Sequence, residues 1–287
     1  MIALHLGPHA SSLWLTWSLD PTVWIGIPLA WALYRRGLRT LGPEPGYHGR
    51  WRPRAFYAGL GVMFVALVSP LDALSDELFF AHMAQHLLLM LVGAPLILLG
   101  APMIPLMRGV PRRLRRATLI PIARSKAVRI PLHLLTRPLV SWLIFIGMLF
   151  VWHLPDVFEA GLGNEALHLL EHASFAGAAY LLWWNVIDSH PLRANLSYLA
   201  RVPYVFITMI PNFTLAAFLT FAQSAWYPTY AERAVRHGFT ALEDQQLGGV
   251  IMWIPGSFIF GAALILCLFA AARAEQAAQL ALEAERG

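Results

Sequence analysis

Seven apolar runs punctuate the chain, at about Thr22 to Tyr34, Phe56 to Ser69, Phe79 to Leu99, Pro138 to Trp152, Ala166 to Ile187, Pro203 to Phe221 and Gly248 to Ala271. A helix crossing the hydrocarbon core of a bilayer needs about 20 such residues. The first, second and fourth runs are short, so the first is expected to extend back to Leu13 through Pro21 and the others into their flanks. The pattern predicts an all-α fold, a polytopic membrane helical bundle of seven transmembrane helices forming one domain over residues 1–287. Residues 1–12 are expected as an outer N-terminal tail. Residues 272–287, rich in alanine and glutamate, are expected to carry the last helix into the cytoplasm as a helical tail. No repeat of a helical pair or half-chain is evident, which weighs against transporters assembled from obvious internal repeats.

Composition agrees and adds an orientation. Of the 287 residues 58% are hydrophobic and only 13% charged, about half the charged share of an ordinary soluble domain. The 21 lysines and arginines alternate between connectors: six from Arg35 to Arg54, nine from Arg108 to Arg137, two after run 5, two after run 6 and two in the tail. None precedes run 1, and none lies between runs 2 and 3 or runs 4 and 5. With seven spans, nineteen of the 21 share one side. The positive-inside rule makes that side cytoplasmic, the N-terminus outside and the C-terminus inside. The net charge of +5 therefore reads as topology and not as nucleic-acid binding, although the connector from Arg108 to Arg137 also suits anionic lipid headgroups. No basic residue precedes the first run and no small-residue cleavage site follows it, so no secretion signal is expected.

Orientation sorts the histidines by depth. His82 and His86 open run 3, His153 closes run 4, and His168 with His172 open run 5, all toward the outer face. Both pairs have i, i+4 spacing, which stacks two imidazoles on one helix face. Polar groups in lipid are costly and usually face the bundle interior. Histidines near helix ends also sit at interfaces without any ligand, but two pairs plus His153 at one depth point to a metal. Met83 adjoins the first pair and Met252 comes early in run 7. Imidazole with thioether favours copper, whereas imidazole alone also suits zinc or iron; methionine is equally a common packing residue. The only cysteine, Cys267, lies inside run 7, so neither a disulfide framework nor a thiolate cluster is available.

Acidic residues gather on the same outer side: Asp72, Asp76 and Glu77, then Asp156, Glu159 and Glu165, then Glu243 and Asp244. They read first as solvated connectors, and second as an acidic mouth that attracts cations or a basic partner patch. Glu171 differs, since it lies between His168 and His172 at membrane depth and is a candidate to orient them. Gln85, Gln245, Asp244 and Asp72 are candidates for the same supporting role. In Asp244-Gln245-Gln246-Leu247-Gly248-Gly249, the acid or first amide is expected to cap the helix and the glycine pair to permit close helix contact. His5 and His9 belong to the N-terminal tail, expected to be disordered.

No nucleophile elbow, phosphate loop, Rossmann fingerprint or HExxH is present, so no enzymatic activity is expected. The segment His82-Met83-Ala84-Gln85-His86, followed by Ala94-Pro95-Leu96 and Leu99-Gly100-Ala101-Pro102, resembles the CtaG family of multi-span cytochrome c oxidase assembly factors. Ser69-Pro70-Leu71-Asp72, Trp152-His153-Leu154-Pro155, His168 with His172, Trp183-Trp184 and Asp244 to Trp253 are similar to that family's remaining blocks, in order. The resemblance implies a bacterial plasma membrane protein that helps mature a haem–copper oxidase, with the catalytic subunit as partner and copper supplied or inserted at the buried copper site; a periplasmic or outer-surface copper donor is a further candidate partner. Two other readings stand beside it: a b-type cytochrome with histidines as axial haem ligands, and a transporter relaying protons or metal through the same histidines.

Overall fold

The computed structural model describes residues 16–41, 49 and 51–286. The N-terminal tail, His5, His9 and the start of the extension from Leu13 lie outside the described residues. Among the described residues every regular element is helical. They are α1 (Pro21–Leu41), α2 (Trp51–Val68), α3 (Pro70–Glu77), α4 (Phe79–Leu99), α5 (Met103–Gly109), short turns over 112–124, α6 (Lys126–Leu135), α7 (Pro138–Trp152), α8 (Pro155–Leu162), α9 (Glu165–Trp184), α10 (Tyr198–Thr220), α11 (Thr229–Val235) and α12 (Ala241–Arg286).

Helices α4, α10 and α12 are each long and apolar enough to cross a membrane. Two bent pairs pass the same test when each counts as one crossing, α2 with α3 at 45° and α6 with α7 at 75°. Helices α1 and α9 fall outside this set. The first ends on Arg35, Arg36 and Arg39, and the second opens on Glu165, His168, Glu171 and His172. In each helix the polar load is gathered at one end. Helix α6 leaves Val128, Ile130, Leu132 and Leu134 exposed on the same short element as Lys126 and Arg129, a composition suited to the headgroup boundary. Helix α12 runs 46 residues without a break, about 69 Å at 1.5 Å per residue, roughly twice what one crossing needs.

The centre of the bundle is α4, which packs against α12, α3 and α2. Its middle, Leu88–Gly93, is wound as a π-helix, with the Ala94 amide reaching the Leu89 carbonyl. Pro95 explains this turn, because its ring lacks an N–H and crowds the carbonyl four residues earlier; a wider turn relieves both. Helices α10 and α12 lie along each other, and the glycine pair sets how closely α12 fits. A Cβ on Gly249 would stand 2.7 Å from the Thr220 amide nitrogen and 2.8 Å from the Ala216 carbonyl oxygen, both backbone atoms of α10. One on Gly248 would meet the Phe79 ring at 2.4 Å, on α4. The wedge of α12 between α4 and α10 therefore requires both glycines. Gly249→Ala is expected to cost about 1–3 kcal/mol by forcing the two helices apart, read as a lower midpoint in a denaturation series in detergent.

At the opposite end, the link between α9 and α10 is locked by Arg201, whose two terminal nitrogens donate to Asp188 at 2.9 Å and 3.0 Å. Burial alone would raise the Asp188 carboxyl, but the Arg201 fork and the Ala194 amide outweigh it and hold the group below its ordinary value.

Candidate metal centre

Four of the five histidines expected near one membrane face meet. The rings of His82 and His86 are 4.3 Å apart, His168 and His172 4.4 Å, His82 and His168 5.3 Å, and His86 and His172 5.4 Å. The i, i+4 stacking on α4 and α9 turns one pair toward the other. Potential ligand atoms of His82, His86 and His172 all lie within 4.8 Å of one another, and the same holds for His82, His168 and Glu171. His82 is fully buried, and His86 and Glu171 nearly so.

The hydrogen bonds say which atoms are free to coordinate. Tyr230 donates its hydroxyl proton to the Ser75 carbonyl at 2.8 Å and lies 3.2 Å from His82 Nδ1. With that proton committed, the oxygen accepts from His82 Nδ1–H, and in a neutral ring Nε2 keeps its lone pair. This is how a metal-binding imidazole is usually oriented by its neighbours. His86 Nε2–H donates to the His82 Nε2 lone pair at 2.9 Å, a separation that opens only slightly to reach the about 3.3 Å between two nitrogens bound tetrahedrally at about 2.0 Å from one ion. The Glu171 carboxyl stands 3.7 Å and 3.5 Å from these two nitrogens. Nε2 of His168, Nε2 of His172 and both Glu171 oxygens are buried with no hydrogen-bond partner. Buried polar atoms are ordinarily satisfied, and here imidazole nitrogens and a carboxylate converge without being so. This donor set fits a borderline transition-metal ion such as copper or zinc.

His153 is placed elsewhere. Its Nδ1 lies 2.6 Å from the Leu149 carbonyl, and its Nε2 faces Met83 Sδ at 3.3 Å. Met83, His86 and Met252 line a small cavity together with His153, and His86 borders both this cavity and the four-histidine cluster.

The supporting residues hold helices more than they touch histidines. Asp244 accepts from the backbone amides of Phe79 at 2.8 Å and Phe80 at 3.0 Å, so it caps α4. The start of α12 is instead capped by Thr240 and Glu243, each bonding the other's backbone amide. Gln245 accepts from the Trp226 amide at 2.6 Å. Gln85 donates to the Ala66 carbonyl and to Asp72, both at 2.8 Å, which ties α4 to α2 and α3.

Sequence reasoning passed over the roof. The segment between α10 and α12 folds back so that Tyr227 and Tyr230 pack with Phe79 and Phe158, and the Phe158 ring lies 5.1 Å from His82. Arg236 pairs with Glu77 at 2.6 Å and Arg233 donates to the Asp76 carbonyl at 2.6 Å, fastening this segment to α3. A lone pair of tyrosines in a connector offered no period or motif to flag it. Beside the roof, a cavity of about 770 Å³ opens between α1, α2 and α9. Asp20, Asp72, Asp76 and Glu165 line it together with His168 and His172.

An all-helical protein with membrane-length apolar helices and a buried histidine cluster is thus defined as a membrane protein with a candidate metal centre. The chain belongs to the cytochrome c oxidase caa3 assembly factor family, Caa3_CtaG, whose profile matches residues 32–274. It is also similar to an uncharacterized protein of Mycobacterium bovis and one of Mycobacterium tuberculosis, each 23% identical over 206 residues. An uncharacterized protein of Mycobacterium leprae is 23% identical over 208 residues. These matches cover 69% of this chain and 31% of each relative, so the chain spans about a third of the length of the curated relatives it matches. No solved structure matches it.

Proposed function

We propose that this protein assists cytochrome c oxidase assembly by binding copper through His82, His86, His168 and His172, with Glu171 beside them, and passing it toward the oxidase's buried copper site. The observation that carries this reading is the convergence of partnerless, buried imidazole and carboxyl atoms. Membership of an oxidase assembly factor family supports the oxidase as partner. Imidazole donors without an accessible thiolate suit an ion that must be released again. The packing of the other three rings within 4.3 Å to 6.0 Å of His82 favours an ion over haem, because a macrocycle several times wider than an imidazole has no slot among them.

The proposal places the protein in the bacterial plasma membrane, crossing it seven times with the N-terminus outside and the C-terminus inside. The supporting argument is the distribution of lysine and arginine. The metal site then opens toward the outer compartment, where the acid-lined cavity attracts cations and an outer-surface donor can deliver copper. The protein acts as a binding and delivery factor and not as an enzyme.

Replacing His82, His86, His168 and His172 together by Ala is expected to abolish copper uptake at this site and to leave the oxidase short of copper in cells carrying only that variant. Metal analysis of the purified protein and of the oxidase reads both outcomes. Unaltered uptake and a fully metallated oxidase would overturn the proposal.

A further inference from the structure

His153 poses a problem that the four-histidine centre does not solve. Its Nδ1–H donates to the Leu149 carbonyl at 2.6 Å, because a carbonyl can only accept. In a neutral ring Nε2 then carries a lone pair, yet the atom it faces is Met83 Sδ at 3.3 Å, itself an acceptor. Two electron-rich atoms confront each other in an apolar interior with no proton between them.

The surroundings show what would reconcile them. His153 and Met83 line a cavity of about 30 Å³ with His86, Asn212 and Met252, roughly one or two water-sized spheres. Nδ1 of His86 and Nδ2 of Asn212 are buried with no hydrogen-bond partner. A nitrogen at about 2.0 Å and a sulfur at about 2.3 Å from one ion, at near-tetrahedral angles, stand about 3.3 to 3.5 Å apart. The observed separation falls at that value.

We propose that His153, Met83 and Met252 form a second metal site, for a soft monovalent cation of the Cu(I) or Ag(I) class, separate from the four-histidine centre. Thioether sulfur selects soft ions, and two thioethers with one imidazole make this the softer of the two sites. His86 stands between them: its Nε2 faces His82 and Glu171, and its ring borders the second cavity. The site stands on its own donors and does not depend on what the four histidines bind.

The full chain, purified in detergent and loaded anaerobically with Cu(I) under ascorbate, tests this. The expected result is two equivalents bound, with a sulfur shell at about 2.3 Å in the copper X-ray absorption spectrum. Met83→Leu with Met252→Leu keeps volume and apolarity, and should bind one equivalent with no sulfur shell. His168→Ala with His172→Ala should keep the sulfur-bound ion. A parent protein without sulfur scattering, or a double Leu variant that still binds two ions, overturns the second site. One ion bound in the parent, with sulfur, would sink the four-histidine proposal and leave this one standing.

Discussion

Glu171→Gln is expected to weaken copper binding by about 10- to 100-fold while leaving the metal-free protein as stable as the parent or more so. Both effects follow from the surroundings of this side chain. Both its oxygens are buried with no hydrogen-bond partner, and Oε1 stands 3.7 Å and 3.5 Å from the Nε2 atoms of His82 and His86. Without metal a buried carboxyl of this kind costs free energy, and an amide of the same shape costs less. With metal the carboxyl offers charge or a ligand oxygen that the amide cannot match. Opposite signs in the two states separate a binding role from a structural one, since loss of mere packing would lower both. Competition titration with a copper chelator and thermal unfolding with and without copper measure the pair. Equal copper affinity in the variant would remove Glu171 from the centre.

The histidine pairs were legible because helical spacing is local: i, i+4 positions share a face whatever the rest of the chain does. That α4 and α9 bring those faces together was inferred only from the cost of polar groups in lipid, and the four rings do gather. His153 shows where that inference stops. Depth along the membrane normal placed it level with the others, but rotation about the helix axis decides which side of α4 it meets, and no local pattern carries that angle. Met83, one residue after His82, points some 100° away from it around the same helix and goes with His153.

Asp244 teaches a similar lesson. Its position before an apolar run marked it as a cap, yet the helix it caps begins 165 residues earlier in the chain, and α12 is served by Thr240 with Glu243. The glycine pair was read as a close contact, and the backbone of α10 and the Phe79 ring are what it contacts. The roof of Tyr227 and Tyr230 had no legible signal, because it forms only when a polar connector folds back onto α3 through Arg233 and Arg236.

The same cap gives a second large effect. Leu78, which precedes α4, is extended and offers no side-chain hydrogen bond to the helix. The first amides of α4 therefore depend on Asp244, whose oxygens accept from Phe79 and Phe80 and whose charge meets the positive end of the helix. Asp244→Ala leaves two amides orphaned beside the buried Phe79 ring, at about 1–3 kcal/mol each, and removes a charge-assisted cap. A total near 3–5 kcal/mol is expected, one of the largest single-residue effects the fold allows outside core cavities. Asp244→Asn retains one acceptor oxygen and should fall between the variant and the parent. Because His82 and His86 sit one and two turns beyond this end, the Ala variant should also bind copper more weakly, whereas Gly249→Ala perturbs the α10 side of α12 first. Denaturation midpoints in detergent for Asp244→Ala and Asp244→Asn decide the matter. An Ala variant as stable as the parent would mean that Phe79 and Phe80 find other acceptors and that Asp244 does not hold the helix bearing the first histidine pair.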